Sequence, residues 1–588
     1  MILREMRWLF VAVLVVLPEI IWGQDGKEVE AVETLLGVDV EELDEDEYDR
    51  MCGYIHRPLQ LNVASPQELS SSGMLTRFQV ASLIDYRKRN GSLMSFMELA
   101  SVDGFGEEFV MRLRPFVSIY RSEEVRGALS RHDVTLRSSY RNSDSYGRWG
   151  YAFRYRIRTG NQLSCSLAFS RSLDASEPFP DAFCGSLIWK SRKAPVKIII
   201  GDFNARFAQG LNLWSGMYIS DHSSPSSFLR RSSGVTATSS FTGTGAYTGT
   251  AVELLWGRCS FSLMAASAGL KKIRSQPQGL RLVPAANLTY NGRFVQYGIT
   301  HSMAFGGFDN SSDVHIPSMN TSMDFSACFK GVDVFSEISH DWVSVSQSMV
   351  AGTVFPFGDA IDLAAMFRLS DEEYAVCASG SLSCGKWIRM AGKDVSDRRI
   401  SGTFSSDLVL YQVPKSSDQD RSLQLKFRTQ WKLALSESWM LSLRIYERVR
   451  SWGDRFRTDI RTDLSWSDEK WMAVMRLNML RCRSVSFLGY VEGGMKGMKG
   501  MKMTVHLRQG IFVVDRWEDR IYAYERDAPG CFNVPAFYGR GIWTSLTAAL
   551  KLTGWCRIYL RGSYTSYLLM KEKKPGRAEL RLQCMLDL

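Results

Sequence analysis

The chain has 588 residues, 45% of them hydrophobic and 23% charged, and a formal net charge of +10. That length gives room for several domains or one very large one. Eleven cysteines, an odd number with no Cys-x-x-Cys pair, argue against a dense disulfide framework and against a paired-ligand zinc site.

At the start, Arg4 and Arg7 precede an apolar run from Leu9 to Leu17, followed by Pro18 and Gly23. This is the layout of a secretory signal peptide over 1–23, with cleavage expected between Gly23 and Gln24. The run is too short to span a bilayer, and no later stretch approaches ~18 consecutive apolar residues. From Gln24 to Asp49 there are twelve acids against Lys27 alone. The composition of 24–49 predicts a solvated, disordered acidic tail. Residues 50–131 carry eleven bases and eight acids, which leaves a net charge of +18 on 132–588.

Between Leu59 and Ile119 three helix starts are written into the sequence, within a small all-α domain expected over 50–120. Ser65-Pro66-Gln67-Glu68 is a capping box with proline at the first helical position, and Thr76 to Gln79 and Ser95 to Glu98 repeat the pattern. Val80, Leu83 and Ile84 share one face of a helix that ends at Gly91, where a residue without Cβ is favoured. A fourth helix is expected after Gly104-Phe105-Gly106, burying Val110 and Leu113 and stopping before Pro115. Two glycines permit a tight turn, and the amides at the helix start are suited to a phosphate oxygen. Arg87, Lys88 and Arg89 add positive charge of the kind a nucleic-acid backbone rewards without reading sequence. The nominated phosphate or DNA contacts are therefore Gly104, Phe105, Gly106, Arg87, Lys88 and Arg89.

The segment resembles the helix-hairpin-helix pair of competence DNA-receptor (ComEA-like) proteins. The matches are Leu61-Asn62-x-Ala64-Ser65-x-x-Glu68-Leu69, Ile84-x-Tyr86-Arg87-x-x-x-Gly91 and Gly104-Phe105-Gly106. The first hairpin departs from the pattern, reading Gly73-Met74-Leu75-Thr76 without a second glycine. Glu107 and Glu108, which follow the intact hairpin, would repel a phosphate. The plainer reading of the domain is a small helical module that docks a protein.

From His132 onward strict alternation replaces helical periodicity. Leu423 to Leu433 places apolar or aromatic residues at odd positions and Gln, Lys and Arg at even ones. Tyr151 to Arg158, Leu163 to Ser170, Phe456 to Trp466 and Ala578 to Leu588 behave alike. Period-2 alternation means one dry and one wet face. Segments of about ten residues have the length of a tilted membrane-spanning strand. Trp149, Trp189, Trp431, Trp466, Trp471 and Trp543 stand near segment ends, where an interfacial girdle would want them. The polar face is dominated by arginine. The expected fold class is an all-β transmembrane antiparallel barrel over 132–588, of roughly 18–26 strands, preceded by the all-α helix-hairpin-helix domain. Cys377 and Cys384 are near enough in sequence to pair across a hairpin.

Ser220 to Gly249 reads as a surface or lumen-plugging loop, and Gly494 to Lys502 as a solvated triplet repeat at a turn. Gly201-Asp202-Phe203 with Gly210 to Gly216, and Ile521 to Glu525 with Val534 to Gly539, resemble the barrel segment of Gram-negative envelope proteins that carry an amino-terminal helix-hairpin-helix domain. Asp202 with Arg206 and Glu525 with Arg526 are candidate lumenal charge pairs.

Seven histidines lack a metal-ligand neighbour at i+4, and no Gly-x-Ser-x-Gly elbow or phosphate loop occurs. No catalytic or metal-binding residue is nominated, and no cofactor is implied. The expectation is an outer-membrane barrel with its helical domain in the periplasm, taking up or transporting a polyanion, with DNA the leading candidate. The alternative is an envelope assembly or secretion component whose helical domain docks a periplasmic protein. The expected partners are accordingly outer-membrane lipid together with DNA or that protein.

Overall fold

The computed structural model describes residues 25–37, 45–119 and 130–588, apart from 144–145, 161, 176–179, 192–193, 216–223, 242–244, 269–280, 307–314, 358–360, 371–372, 385–386, 391–392, 397–399, 413–420, 437, 452–455, 469, 496–502, 532 and 569–575. The expected signal peptide and most of the triplet repeat lie outside the described residues.

The amino-terminal part is helical: α1 (Asp25–Leu36), α2 (Glu45–His56), α3 (Pro66–Ser71), α4 (Arg77–Asn90), α5 (Phe96–Ala100) and α6 (Gly106–Leu113). Ser65 and Thr76 close full capping boxes with Glu68 and Gln79, and Ser95 accepts from the Glu98 amide. Gly91 ends α4 at φ 86°. A two-residue parallel pairing of Leu59–Gln60 with Val117–Ser118 ties the ends of this unit together. Asn62 staples the same ends, donating to the carbonyls of Leu93 (2.9 Å) and Ile119 (2.8 Å).

The acidic segment expected as a disordered tail departs from that reading, since its described residues form α1 and the first turn of α2. Both helices carry an apolar stripe, with Val32, Leu35, Met51 and Cys52 buried in one core with Leu61, Leu69, Met74, Leu83, Leu99, Leu113 and Phe116. The abundance of acids hid that stripe, and they are matched by arginines elsewhere in the fold.

Beyond Ser130, 24 antiparallel strands among the described residues form a closed barrel. The first, Arg131–Ser143, pairs with the last, Arg577–Asp587, so no edge remains. Closure satisfies every ladder hydrogen bond internally, which is what lets strands cross a lipid bilayer. Both barrel ends lie at one rim, the terminal rim, where most connections are short and the one from Cys384 to Ile400 is long. At one of them Lys330 (φ 50°) and Gly331 (φ 83°) make the primed two-residue turn that suits right-twisted strands. Connections at the far rim are longer, notably Arg206 to Tyr247 and Val514 to Gly539.

Alternation sorts the two faces as expected. Leu423, Leu425, Phe427 and Trp431 are exposed on the outside, while Gln424 and Arg428 between them are buried inside. Trp149, Trp189, Trp431 and Trp471 face outward and are exposed. Trp543 does not join the girdle: it is 1% exposed, packed inside with Tyr490, Phe512 and Phe537. Gly510 opposite makes room, since a Cβ there would come within 2.2 Å of the indole. Cys377 and Cys384 lie on one strand, Glu373–Cys384, seven residues and roughly 24 Å apart, so no disulfide joins them.

Candidate functional site: a plugged, charged lumen

The helical unit occupies the barrel interior at the terminal rim. Its wall contacts are mostly polar and spread around the circumference. Arg57 donates to Asp133 (2.9 and 2.7 Å) and to Asp587 (2.6 Å). These aspartates stand directly opposite each other where the first and last strands meet. Like charges so placed repel, and the Arg57 guanidinium bridges them. Its hydrogen bonds to Asp133, against the penalty of burial, hold the Arg57 pKa above its ordinary value.

Glu68 takes Lys190 (2.8 Å), Asp49 takes Arg154 (2.9 Å), Arg77 takes Asp324 (3.1 Å) and Asp103 takes Arg293 (3.1 Å). Phe78 stacks on Phe294 at the terminal rim, with ring centroids 6.3 Å apart. Burial opposes ionisation of Asp49, but Arg154 and Arg156 outweigh it and hold its carboxyl below the usual range. Glu68 is lowered in the same way, with Lys190 overcoming burial. The core of the unit is nonetheless its own. Apart from half-buried Tyr524, every residue packed into it comes from 29–119.

Two far-rim connections fold inward to meet this plug, and they are the two stretches whose motifs set them apart in the sequence. In the first, Gly201 adopts φ 101° with the Gly185 carbonyl oxygen 2.1 Å from where a Cβ would stand. Asp202 accepts from the Gly185 amide (2.7 Å) and the Thr248 hydroxyl (2.5 Å). Glu337 on the wall accepts from the amides of Gln209 (2.9 Å) and Leu211 (3.1 Å), and Asn212 donates to the Thr300 carbonyl (3.0 Å). The Trp214 ring has Arg206 and Arg230 at 5.5 and 4.9 Å. Burial pushes the Arg230 and Arg231 guanidiniums down to about 10. Arg231 reaches the plug, donating to the Leu35 carbonyl (3.2 Å), and the Ser224 hydroxyl donates to that of Gly37 (2.9 Å).

In the second connection the Tyr524 and Tyr48 hydroxyls meet at 3.4 Å. Burial raises both pKa values; the neighbouring phenol adds to the rise at Tyr48, whereas the hydrogen bond with Tyr48 opposes it at Tyr524. Arg508 donates to the Tyr524 carbonyl (2.6 Å), Arg137 to that of Gly530 (2.6 Å) and Gln583 to that of Pro529 (2.8 Å). The charge pairs differ from those nominated. Glu525 binds Arg561, and Arg526 binds Glu492 (2.5 Å). Arg206 lies 3.8 Å from Glu47 rather than on Asp202. Asp202 and Arg206 stand four residues, roughly 14 Å, apart along one strand, and Glu525 and Arg526 are chain neighbours in a connection, so their partners come from neighbouring strands or the plug.

The nominated phosphate contacts are placed as follows. Gly104 (φ 85°) and Gly106 (φ 62°) make the expected turn, and α6 starts there without a side-chain cap. Phe105 is buried, and its amide donates to the Val102 carbonyl (3.0 Å). Glu107 and Glu108 are exposed in the first turn. Gln79, in the first turn of α4, donates to the Gly104 carbonyl (2.8 Å). Arg87, Lys88 and Arg89 are in the last turn of α4, roughly 12–15 Å along its axis from Gln79 at 1.5 Å per residue. The two halves of the nominated site are thus held at opposite ends of one helix. Arg87 is engaged with the Ala64 carbonyl (2.7 Å) and Arg89 with Asp85 (3.1 Å), while Lys88 is exposed.

A cavity of about 510 Å³ remains between plug and wall, with Arg57, Arg156, Arg158, Lys190, Asp49 and Glu68 on its lining. The sequence signal for this interior was the arginine-rich face. What it lacked was any sign that the helical domain fills it.

Fold and site together define a transmembrane β-barrel of the outer-membrane type, plugged by its own amino-terminal helices. No protein-family model and no curated protein matches the chain. Among solved structures, the outer membrane protein OpdK from Pseudomonas aeruginosa is 9% identical, over 78% of this chain and 98% of that one, at a TM-score of 0.28. OccK3 (OpdO) from the same organism is 10% identical over 78% and 95% at 0.29, and Acinetobacter baumannii OccAB2 is 8% identical over 78% and 98% at 0.30. Superpositions that loose carry no argument, and the fold rests on this chain's own strand pairing.

Proposed function

We propose that this chain is a gated outer-membrane uptake barrel in which the helical unit is the gate and a polyanion the cargo. The observation that carries the reading is the mismatch between the plug's inside and outside. Its core is apolar and closed, whereas it meets the wall through hydrogen bonds and ion pairs at Asp133, Arg154, Lys190, Arg293, Asp324 and Asp587. Water can take over polar contacts of this kind, each at a net cost of about 1.5–3 kcal/mol, while the apolar core stays closed, so the unit can leave its seat without unfolding. An apolar seam would hold it permanently.

The test is conductance of the full chain in planar bilayers against a variant carrying Arg57→Ala, Asp49→Asn and Glu68→Gln. The wild type is expected to stay closed and the variant to open. Equal conductance in the two would overturn the gate.

DNA is the narrower candidate for the cargo. It is supported by the resemblance of Leu59 to Ile119, by the uncapped start of α6 and, separately, by exposed Lys88 in the last turn of α4. Anisotropy of labelled duplex on the full chain, titrated from ~50 to ~200 mM salt, should show steep loss of binding. Flat or absent binding removes DNA. The alternative, docking of a periplasmic protein, is favoured by Met94, Met97 and Met111, which are 76, 81 and 55% exposed on or beside α5 and α6. Pull-down of a partner lost on Met97→Lys, with no salt-dependent DNA binding, would support it.

A further inference from the structure

The wall between residues 400 and 481 carries its cations in rows fixed by strand register. Lys426 stands opposite Arg448, and Arg448 opposite Arg457, on three successive strands. Four residues deeper, by ~14 Å of strand, Arg444 stands opposite Arg461. A further ~7 Å in, Asp463 faces Arg476. All point inward, alternating with outward Leu425, Phe427, Leu477 and Val449, and all are half-buried, as expected of groups lining a solvated passage.

Like charges directly opposite on neighbouring strands destabilise a sheet. Elsewhere this protein answers such a pair with an internal counter-charge, as Arg57 does for Asp133 and Asp587. Along the 400–481 wall the answer is incomplete. Asp463 is held by Arg461 (2.8 Å) and Arg476 (2.6 Å), and Asp407 stands opposite Lys426 at one end of the outer row. Asp459 lies between the rows, with its Oδ1 buried and without a hydrogen-bond partner. No ion pair joins Arg448 or Arg457 to an acid among the described residues, and Arg448 Nε is buried without an acceptor.

From these rows we infer that this wall is an oxyanion lane: Arg448 and Arg457 seize a multiply charged anion at the far rim, and Arg444 with Arg461 receives its next charge further in. Guanidinium forks bind phosphate or carboxylate oxygens two at a time, which suits a chain of such groups. The inference rests on the uptake reading and locates the cargo's path within it.

The test is calorimetric titration of the detergent-solubilised full chain with inorganic tripolyphosphate, and separately with citrate, at ~50 and ~200 mM salt. Wild type is expected to bind at low salt and to lose affinity as salt rises. Arg448→Gln with Arg457→Gln should weaken binding at least about tenfold. Arg540→Gln, which removes a rim cation already paired with Asp515 (2.7 Å), should leave it unchanged. Tighter binding of tripolyphosphate identifies phosphate cargo, and tighter binding of citrate carboxylate cargo.

Thermal melting supplies a second readout. Without anion the double variant should melt at or above the wild-type temperature, because a repulsion has been removed. A lower melting temperature would assign the two arginines to wall structure and overturn the lane, as would absent wild-type binding or unchanged binding by the double variant. A barrel that binds tripolyphosphate here yet never opens in bilayers would refute the gate and leave the lane standing.

Discussion

Replacing Arg57 by alanine removes three charge-assisted hydrogen bonds, of 2.9, 2.7 and 2.6 Å, from the seam where the barrel closes. Each such bond contributes about 1.5–3 kcal/mol when shielded, but the loss is less than their sum. The Arg57 side chain is 28% exposed, and Arg158 (3.7 Å from Asp133) and Arg557 (3.0 Å from Asp587) remain to neutralise the aspartates. About 2–3 kcal/mol of plug seating is therefore expected to go, roughly a 30- to 140-fold rise in the unseated population. Because α2 carries Arg57 at its end, native-state hydrogen exchange of Glu45 to His56 reports it. Exchange there should accelerate by that factor while the barrel strands keep their protection. Unchanged exchange in α2 would refute the latch, and acceleration across all strands would show that Arg57 holds the barrel rather than the plug.

Plug seating should also depend on acid. Asp49 and Glu68 have seated pKa values below their ordinary 3.8 and 4.5, so their contribution is complete above about pH 4.5 and is lost as pH falls through the lowered values. The opening equilibrium of α2, taken from exchange corrected for the intrinsic fall of the amide rate with pH, should therefore be flat from pH 7 and then rise towards pH 3, and Asp49→Asn with Glu68→Gln should remove the rise. Gly104→Ala should destabilise the helical unit by about 1–3 kcal/mol, since φ is 85° and the new Cβ would lie 2.5 Å from the Phe78 ring. Gly106→Ala, at φ 62° with open space around it, should cost less; equal melting of the two variants would count against this packing. Trp543→Ala should cost about 3–5 kcal/mol of barrel stability by denaturant unfolding, where an interfacial tryptophan would lose far less.

Local signals in the sequence were reliable where one physical cause acted alone. Ser65, Thr76 and Ser95 fixed the starts of α3, α4 and α5 because a capping hydroxyl needs only its own next turn. The span Leu423 to Leu433 lay inside strand Arg421–Ala434 because pleat alternation is equally local. What escaped depends on partners distant in sequence. The acids of α1 and α2 looked like a solvated tail until Arg154 and Arg206 were seen to face Asp49 and Glu47. Trp543 looked interfacial because alternation gives the phase of a strand and not which aromatic turns inward under a folded-in loop. Gly104 and Arg87 looked like one site because both belong to one motif, although α4 holds them a helix length apart.

The central claim is that the helical unit rests inside the lumen and must leave it for passage. A cross-link between Tyr48→Cys and Tyr524→Cys, whose native hydroxyls are 3.4 Å apart, tests it most directly. Joined by a short bis-maleimide in intact membranes and then placed in planar bilayers, the double variant should form the link in high yield. It should also stay closed even when Arg57→Ala is added. Failure to cross-link, or a linked barrel that conducts as freely as the unlinked Arg57→Ala protein, would contradict the account.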